Sequence, residues 1–306
     1  VHNYNEYMQK YSIHSLLAKI FAQREYNEQD VQGHTSKRLI YHDFSLFLDA
    51  DLVLDRIQEA LENDEKICIY GDYDCDGILS TTILVQTFLE LGKKVGYHIP
   101  NRFEDGYGLN KERVRQMYEK GYTLLITVDN GIKAYEAIDL ANELGIDVIV
   151  IDHHDYDELP DACAIIHTKM SADYPFKEIC GGFLAYKLAS SLLGKHDKYL
   201  FSLAAITTIS DMMPLVDENK SLVSRGLQFM NEEKYNRLTA STPLTDEQLA
   251  GFIARQLVET AQGTKGIADL FKAMMPEAEI VYVKARNVSG FRKQSFLKSR
   301  LVNEHH

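Results

Sequence analysis

The side chains best placed to do chemistry are the aspartates of Gly71-Asp72-Tyr73-Asp74-Cys75-Asp76-Gly77, which follow directly on the apolar run Ile67-Cys68-Ile69-Tyr70. Three carboxylates this close raise one another's pKa unless a cation compensates. Manganese and magnesium, as hard divalent cations, favour such an oxygen-rich setting. Three further apolar runs end in the same manner. Leu124 to Val128 leads into Asp129-Asn130-Gly131, and Val148 to Ile151 into Asp152-His153-His154. Ala204 to Ile209 leads into Ser210-Asp211-Met212-Met213-Pro214-Leu215. Each has a bland alternative taken singly: a solvated acidic loop, an Asn-Gly turn, two solvated imidazoles, a helix stop at Pro214. Four carboxylate-bearing element ends in one array favour a shared metal site. Carboxylate and imidazole donors without thiolates favour manganese over zinc. Arg102 can clamp a phosphate bidentately or pair on the surface. Ser80 and Thr81, read as the start of a helix after the turn glycine Gly77, can donate to a phosphate or serve as plain caps.

The elements that must position these groups alternate. The pattern predicts strands over 66–70, 95–99, 123–128, 148–151 and 164–167. It predicts helices over 51–63, 79–91, 111–120, 135–144, 179–194 and 199–209. Leu52, Leu54, Ile57, Ala60 and Leu61 are taken as the inward face of the first of these helices. Gly92 and Gly145 follow two helices as C-cap signals. Such alternation means an α/β fold with a mostly parallel sheet and helices on both faces. Ligands in such a sheet bind at the C-terminal strand edge, where the acidic ends after 66–70, 123–128 and 148–151 fall. Residues 1–50 read as an N-terminal helical cap, with Ile13, Leu16, Leu17, Ile20 and Phe21 at helical spacing and Ser12 or Ser15 as N-cap. Residues 51–230 read as the catalytic domain and 231–306 as a mainly helical appendage, with helices over 245–260 and 267–275 and a strand over 279–284.

In their order, the four motifs resemble those of DHH-family phosphoesterases. Pro100-Asn101-Arg102 through Gly106-Tyr107-Gly108-Leu109-Asn110, with Cys180-Gly181-Gly182, narrow this to RecJ-like members over about residues 10–230. The resemblance implies a DHH phosphoesterase fold. It also implies a single-strand-specific DNA exonuclease that works from the five-prime end with Mn2+ or Mg2+. It implies one metal position at Asp74 and Asp129, and a second at Asp76, Asp129, His153 and Asp211, with Asp129 bridging. His154 would face the scissile phosphate, and Asp152 would orient an imidazole. Tyr70 stands where many members carry a histidine, and a neutral phenol is a poor ligand. Two metals about 3.5–4 Å apart suit activation of a water and stabilisation of the leaving oxygen in an in-line displacement. The alternatives are a phosphodiesterase of short oligonucleotides or cyclic dinucleotides, and an inactive nucleic-acid-binding or scaffold fragment.

Composition sets the limits. The chain has 306 residues, 45% of them hydrophobic, and a net charge of −12. An acidic surface overall argues against a general nucleic-acid binder, although a nuclease groove need only be locally basic. The charge is uneven: residues 1–230 carry 36 acidic and 22 basic side chains, and residues 231–306 carry 9 and 11. Cys68, Cys75, Cys163 and Cys180 show no CxxC spacing, which argues against a structural zinc module or a disulfide scaffold. With no apolar run near ~18 residues and no signal-like start, the expected location is cytoplasmic, with no membrane partner. The final quarter resembles another family. Tyr235-Asn236-Arg237-Leu238, Leu249 to Thr260, Ile280 to Arg286 and Leu301 to His306 resemble the segment of the CRISPR type II effector nuclease that joins its HNH domain to its third RuvC motif. Ala261 and Gly263 depart from that pattern, and no metal-binding aspartate follows the paired histidines, so no cleavage activity is assigned to the segment.

Overall fold

Ile67–Tyr70 (β1), Gly96–His98 (β2), Leu124–Val128 (β3), Asp147–Ile151 (β4) and Ala164–Ile166 (β5) pair in parallel in the order β2-β1-β3-β4-β5. They belong to a computed structural model that describes residues 4–35, 39–100 and 108–230. The strands are nearly unbroken apolar runs because helices cover both faces of the sheet. Alternate side chains serve two cores. Ile67 and Ile69 of β1 and Leu124, Ile126 and Val128 of β3 enter the larger core. Cys68, Tyr70 and Leu125 enter the smaller one on the opposite face.

Ala50–Glu62 (α4 in chain order) and Cys75–Glu90 (α5) cover the first face, joined by Gly181–Leu193 (α8), Lys198–Ser210 (α9) and Asp217–Met230 (α10). Lys111–Glu119 (α6) and Tyr135–Glu143 (α7) cover the second. Three short helices precede them, Tyr4–Tyr11 (α1), Ser15–Gln23 (α2) and Glu28–Thr35 (α3). From β1 the chain moves outward to β2, then returns to place β3 on the other side of β1. That reversal opens a crevice between the carboxyl ends of β1 and β3, where open α/β sheets bind ligands. Register keeps the ends level: Tyr70 lies opposite Thr127, and Val128 opposite Ile151.

Three local readings change. The helix after β1 starts at Cys75, not near Leu79, because Asp74 caps it by accepting from the Gly77 amide at 3.0 Å. Gly77 therefore lies inside the helix and is not a turn residue. In α4, Val53 is buried and Leu52 is exposed. In α2 the cap is His14, which accepts from the Leu16 amide, and of the apolar residues predicted to lie inward Phe21 alone is buried, with Leu16, Leu17 and Ile20 exposed. Residues 231–306, with the predicted helices, strand and CRISPR-effector resemblance, lie outside the described residues. Among the described residues no helix is long and apolar enough to cross a membrane.

A buried ion pair ties α8 to α10. Lys187 Nζ meets Glu218 Oε2 at 2.8 Å with both side chains fully buried. The same ammonium donates to the His42 carbonyl at 2.6 Å, and Tyr174 donates its hydroxyl to Glu218. Removing one partner of such a pair strands the other without solvent. Lys187→Met is therefore expected to lower unfolding stability by about 3–5 kcal/mol, read as a drop in denaturant midpoint. Replacing Glu218 by Leu as well should recover much of that loss.

Candidate metal centre

Asp72, Asp74 and Asp76 occupy the link from β1 into the first turn of α5. Close approach forms this link. A Cβ on Gly77 would stand 2.5 Å from the Asp72 amide nitrogen, so only glycine lets the helix fold back on the loop. Asp76 is held from across the molecule. Its two carboxylate oxygens accept from the amides of Gly181 and Gly182, the first turn of α8, at 2.7 and 2.8 Å. Each oxygen keeps a further lone pair for a ligand.

Asp129 follows β3 in the left-handed region, φ 59°, a conformation that aspartate tolerates better than most residues. Its Oδ1 lies 3.1 Å from His153 Nε2. The same nitrogen lies 3.7 Å from Asp76 Oδ2 and 3.7 Å from Asp211 Oδ2. Asp211 arrives from the C-terminus of α9. One donor atom each from Asp76, His153 and Asp211 lies within 4.8 Å of the others. The same holds for Asp72, Asp74 and Asp129, and for Asp129, His153 and His154. The structure thus brings together Asp74, Asp76, Asp129, His153 and Asp211, the residues picked out in the sequence.

Asp152 sits one step back. Its Oδ1 accepts from the His153 amide at 2.7 Å and the His154 amide at 3.2 Å, and pairs with His154 Nδ1 at 2.7 Å. Its Oδ2 accepts from the Ile132 amide at 3.0 Å. Such a carboxylate fixes the orientation and tautomer of the imidazole. Burial works against its charge, but the bond to His154 and the amides of Ile132 and His154 outweigh it and hold the carboxyl below its ordinary value. The bond to Asp152 in turn raises His154, against the effect of burial.

The other acids shift the opposite way. Burial, then the charges of Asp76 and Asp74, pushes Asp129 well above the ordinary carboxylate range. Burial and the neighbouring Asp74 push Asp72 up to about 7. Burial and Asp76 push Asp211 up to about 6. Desolvation by the surrounding loop, then the charge of Asp76, raises Asp74, although its side chain still reaches solvent. A bound cation would favour the charged form of carboxylates crowded in this way.

A carboxyl whose folded pKa is raised binds more protons folded than unfolded, so stability falls as pH rises through the folded value. In EDTA, the melting temperature is expected to drop by about 5 °C between about pH 4 and pH 7, the loss from Asp211 levelling off near pH 6 and that from Asp72 near pH 7. Asp72→Asn should flatten that slope in thermal melts, and added manganese should reverse it.

Two predicted sites differ from their expected geometry. Ser80 is fully buried in the second turn of α5, and its hydroxyl donates to the Asp76 carbonyl at 2.6 Å. It therefore offers nothing to a phosphate at the helix start, and Thr81 likewise donates to the Gly77 carbonyl at 2.8 Å. Tyr70, read as a poor ligand from its neutral phenol, points into the smaller core and donates to the Gly108 carbonyl at 3.1 Å. Arg102 lies outside the described residues. Two contributions are missing from the ligand sets that the resemblance implies. Asp72 joins Asp74 and Asp129 as a donor, for which its place at the buried strand end was the available signal. The amides of Gly181 and Gly182 support Asp76 across more than a hundred residues, and no local spacing encodes that contact.

Comparison with known proteins agrees with this geometry. Residues 66–210 match the DHH family, N-terminal domain. The single-stranded-DNA-specific exonuclease RecJ of Bacillus subtilis is 47% identical over 186 residues, covering 60% of this chain and 23% of that protein. RecJ of Dickeya dadantii is 34% identical over 234 residues, covering 71% and 40%. The chain thus spans well under half the length of these relatives. A crystal structure of exonuclease RecJ bound to manganese superposes with a TM-score of 0.54 at 30% identity, covering 72% of this chain and 54% of that one. RecJ from Thermus thermophilus in complex with Mn2+ gives 0.62 at 26% identity, covering 89% and 40%. The sheet order, the motif-borne acids at its switch point and these likenesses agree: residues 66–210 match the DHH family, N-terminal domain, and the core of the chain is similar to that of RecJ exonucleases.

Proposed function

We propose that the chain is a metal-dependent phosphodiesterase, a RecJ-like exonuclease that degrades single-stranded DNA from the five-prime end with Mn2+ or Mg2+. The observation that carries this is the convergence of Asp76, Asp129, His153 and Asp211 at the switch point of a parallel sheet. The donor set fits a hard divalent ion, because it is rich in carboxylate oxygen, includes an imidazole and lacks a thiolate. Asp74 and Asp129, with Asp72 beside them, would hold one ion. Asp76, Asp129, His153 and Asp211 would hold the other. Bound there, a metal pair supplies an activated water and charge stabilisation at the leaving oxygen.

The chain's own groups do the rest. The α8 amides and the close packing at Gly77 fix the Asp76 carboxylate before substrate arrives, which lowers the reorganisation needed at reaction. Asp152 fixes His154 with a proton on Nδ1, so that its imidazole can stabilise charge on the scissile phosphate or move a proton there. Residues 51–230 would form the catalytic unit, residues 1–50 its cap, and residues 231–306 a non-catalytic appendage. The expected location is the cytoplasm.

A five-prime-labelled oligonucleotide incubated with manganese, with and without EDTA, tests this reading. Metal-dependent release of labelled mononucleotide supports it, and no metal-dependent product rejects it. Faster turnover of a dinucleotide than of a long strand would move the reading to a short-oligonucleotide phosphodiesterase.

A further inference from the structure

A cavity of about 120 Å³ opens beside His154. It is lined by Asp152, His154, Gly131, Lys133 and an apolar wall that includes Leu109, Ile132 and Ala134. A dry cavity of roughly 150 Å³ admits a benzene ring, so this smaller one has room for a sugar ring and exceeds the need of one water. It shares His154 and Asp152 with the centre described above, but Asp72, Asp74, Asp76, Asp129, His153 and Asp211 do not line it.

Lys133 gives the cavity its charge. The side chain is exposed and makes no hydrogen bond or ion pair among the described residues. Acids near it are already taken. Lys169 pairs with Asp155, whose carboxyl also feels the Lys133 charge, and Lys111 pairs with Glu136 at 2.7 Å. The Lys133 ammonium is therefore an unbalanced positive charge at the edge of a strongly acidic crevice. A strand of DNA approaching those carboxylates meets repulsion that a lysine at this place offsets. An apolar wall on one side and a cation on the other match the two halves of a nucleotide.

We propose that this cavity receives the nucleotide adjoining the scissile phosphodiester, with Lys133 holding that nucleotide's own phosphate. The inference rests on the exonuclease reading and adds to it a substrate-positioning residue and a subsite. Lys133 touches substrate away from the bond that breaks, so its loss falls on KM more than on kcat.

A chemical double-mutant cycle tests it. Wild type and Lys133→Met are compared on a five-prime-phosphorylated all-phosphate oligonucleotide, on the same strand without its five-prime phosphate, and on one with a neutral methylphosphonate at the linkage that follows the cleaved one. Lys133→Met is expected to raise KM about threefold to tenfold and to reduce the slope of log affinity against log salt by about 0.7. At one of the two flanking positions, removal of the charge should cost wild type a similar factor and Lys133→Met nothing further. Lys133→Arg should recover most of the affinity. An unchanged KM and salt slope in Lys133→Met, or additive losses at both positions, would overturn the inference and leave the exonuclease reading intact. Absence of metal-dependent cleavage by wild type would overturn that reading and this one with it.

Discussion

Asp129→Asn is expected to remove metal-dependent hydrolysis while making the metal-free protein more stable. Asp129 is the carboxylate common to both proposed metal positions, with donor atoms near those of Asp72 and Asp74 on one side and His153 on the other. Metal charge stabilisation contributes several kcal/mol at a transition state, so loss of the shared charge is expected to cost roughly 10³-fold or more in kcat/KM. Stability moves the other way. Burial and the charges of Asp76 and Asp74 already push this carboxyl far above its ordinary range. A neutral amide of the same shape relieves that repulsion, still accepts a hydrogen bond from His153 and still tolerates the left-handed backbone. A rise of about 3 °C in melting temperature in EDTA is expected. Manganese should shift the wild-type melt upward and leave the variant nearly unmoved. A ligand that is dispensable for rate, or a variant that melts lower in EDTA, would contradict this assignment.

Gly181→Ala is expected to cripple the same site without changing any charged group. A Cβ at this position would stand 2.8 Å from Asp129 Cβ and 3.1 Å from its Cα. Neither contact is the end of a flexible side chain, so the backbone must move. The Gly181 amide also donates to Asp76 at 2.7 Å, and its displacement loosens a second donor. Misplacement of about 1 Å in a catalytic constellation costs roughly 10²-fold. The expected result is a loss of about that size in kcat, together with weaker manganese binding by calorimetry. Far-ultraviolet circular dichroism should stay close to wild type, because the added methyl group disturbs one helix start. The glycine pair at the head of α8 is thus a packing requirement of the metal centre.

Much of this was legible in the sequence, for physical reasons that differ by element. Strands buried on both faces need continuous apolar residues, and Ile67 to Tyr70, Leu124 to Val128 and Val148 to Ile151 display them. The acids betray themselves because several carboxylates that follow such runs in one array repel one another unless a cation compensates. The start of α5 was hidden, since a glycine after three aspartates reads as a turn, whereas here Asp74 caps the helix through the Gly77 amide. In α4 the run Leu52-Val53-Leu54 supports two phases, and packing against the larger core selects Val53. The serine at position 80 follows the helix start in sequence but is fully buried in the fold. The contacts from Gly181 and Gly182 to Asp76 join distant segments, and only the folded topology creates them.

The central claim is that separate motifs build one paired metal site at the switch point between β1 and β3. Crystals grown with manganese and measured at its absorption edge test that claim most directly. The account predicts two anomalous peaks about 3.5–4 Å apart, with Asp129 between them, Asp74 on one and Asp76, His153 and Asp211 on the other. No peak within ligand distance of Asp129, or manganese bound elsewhere on the chain, would contradict it.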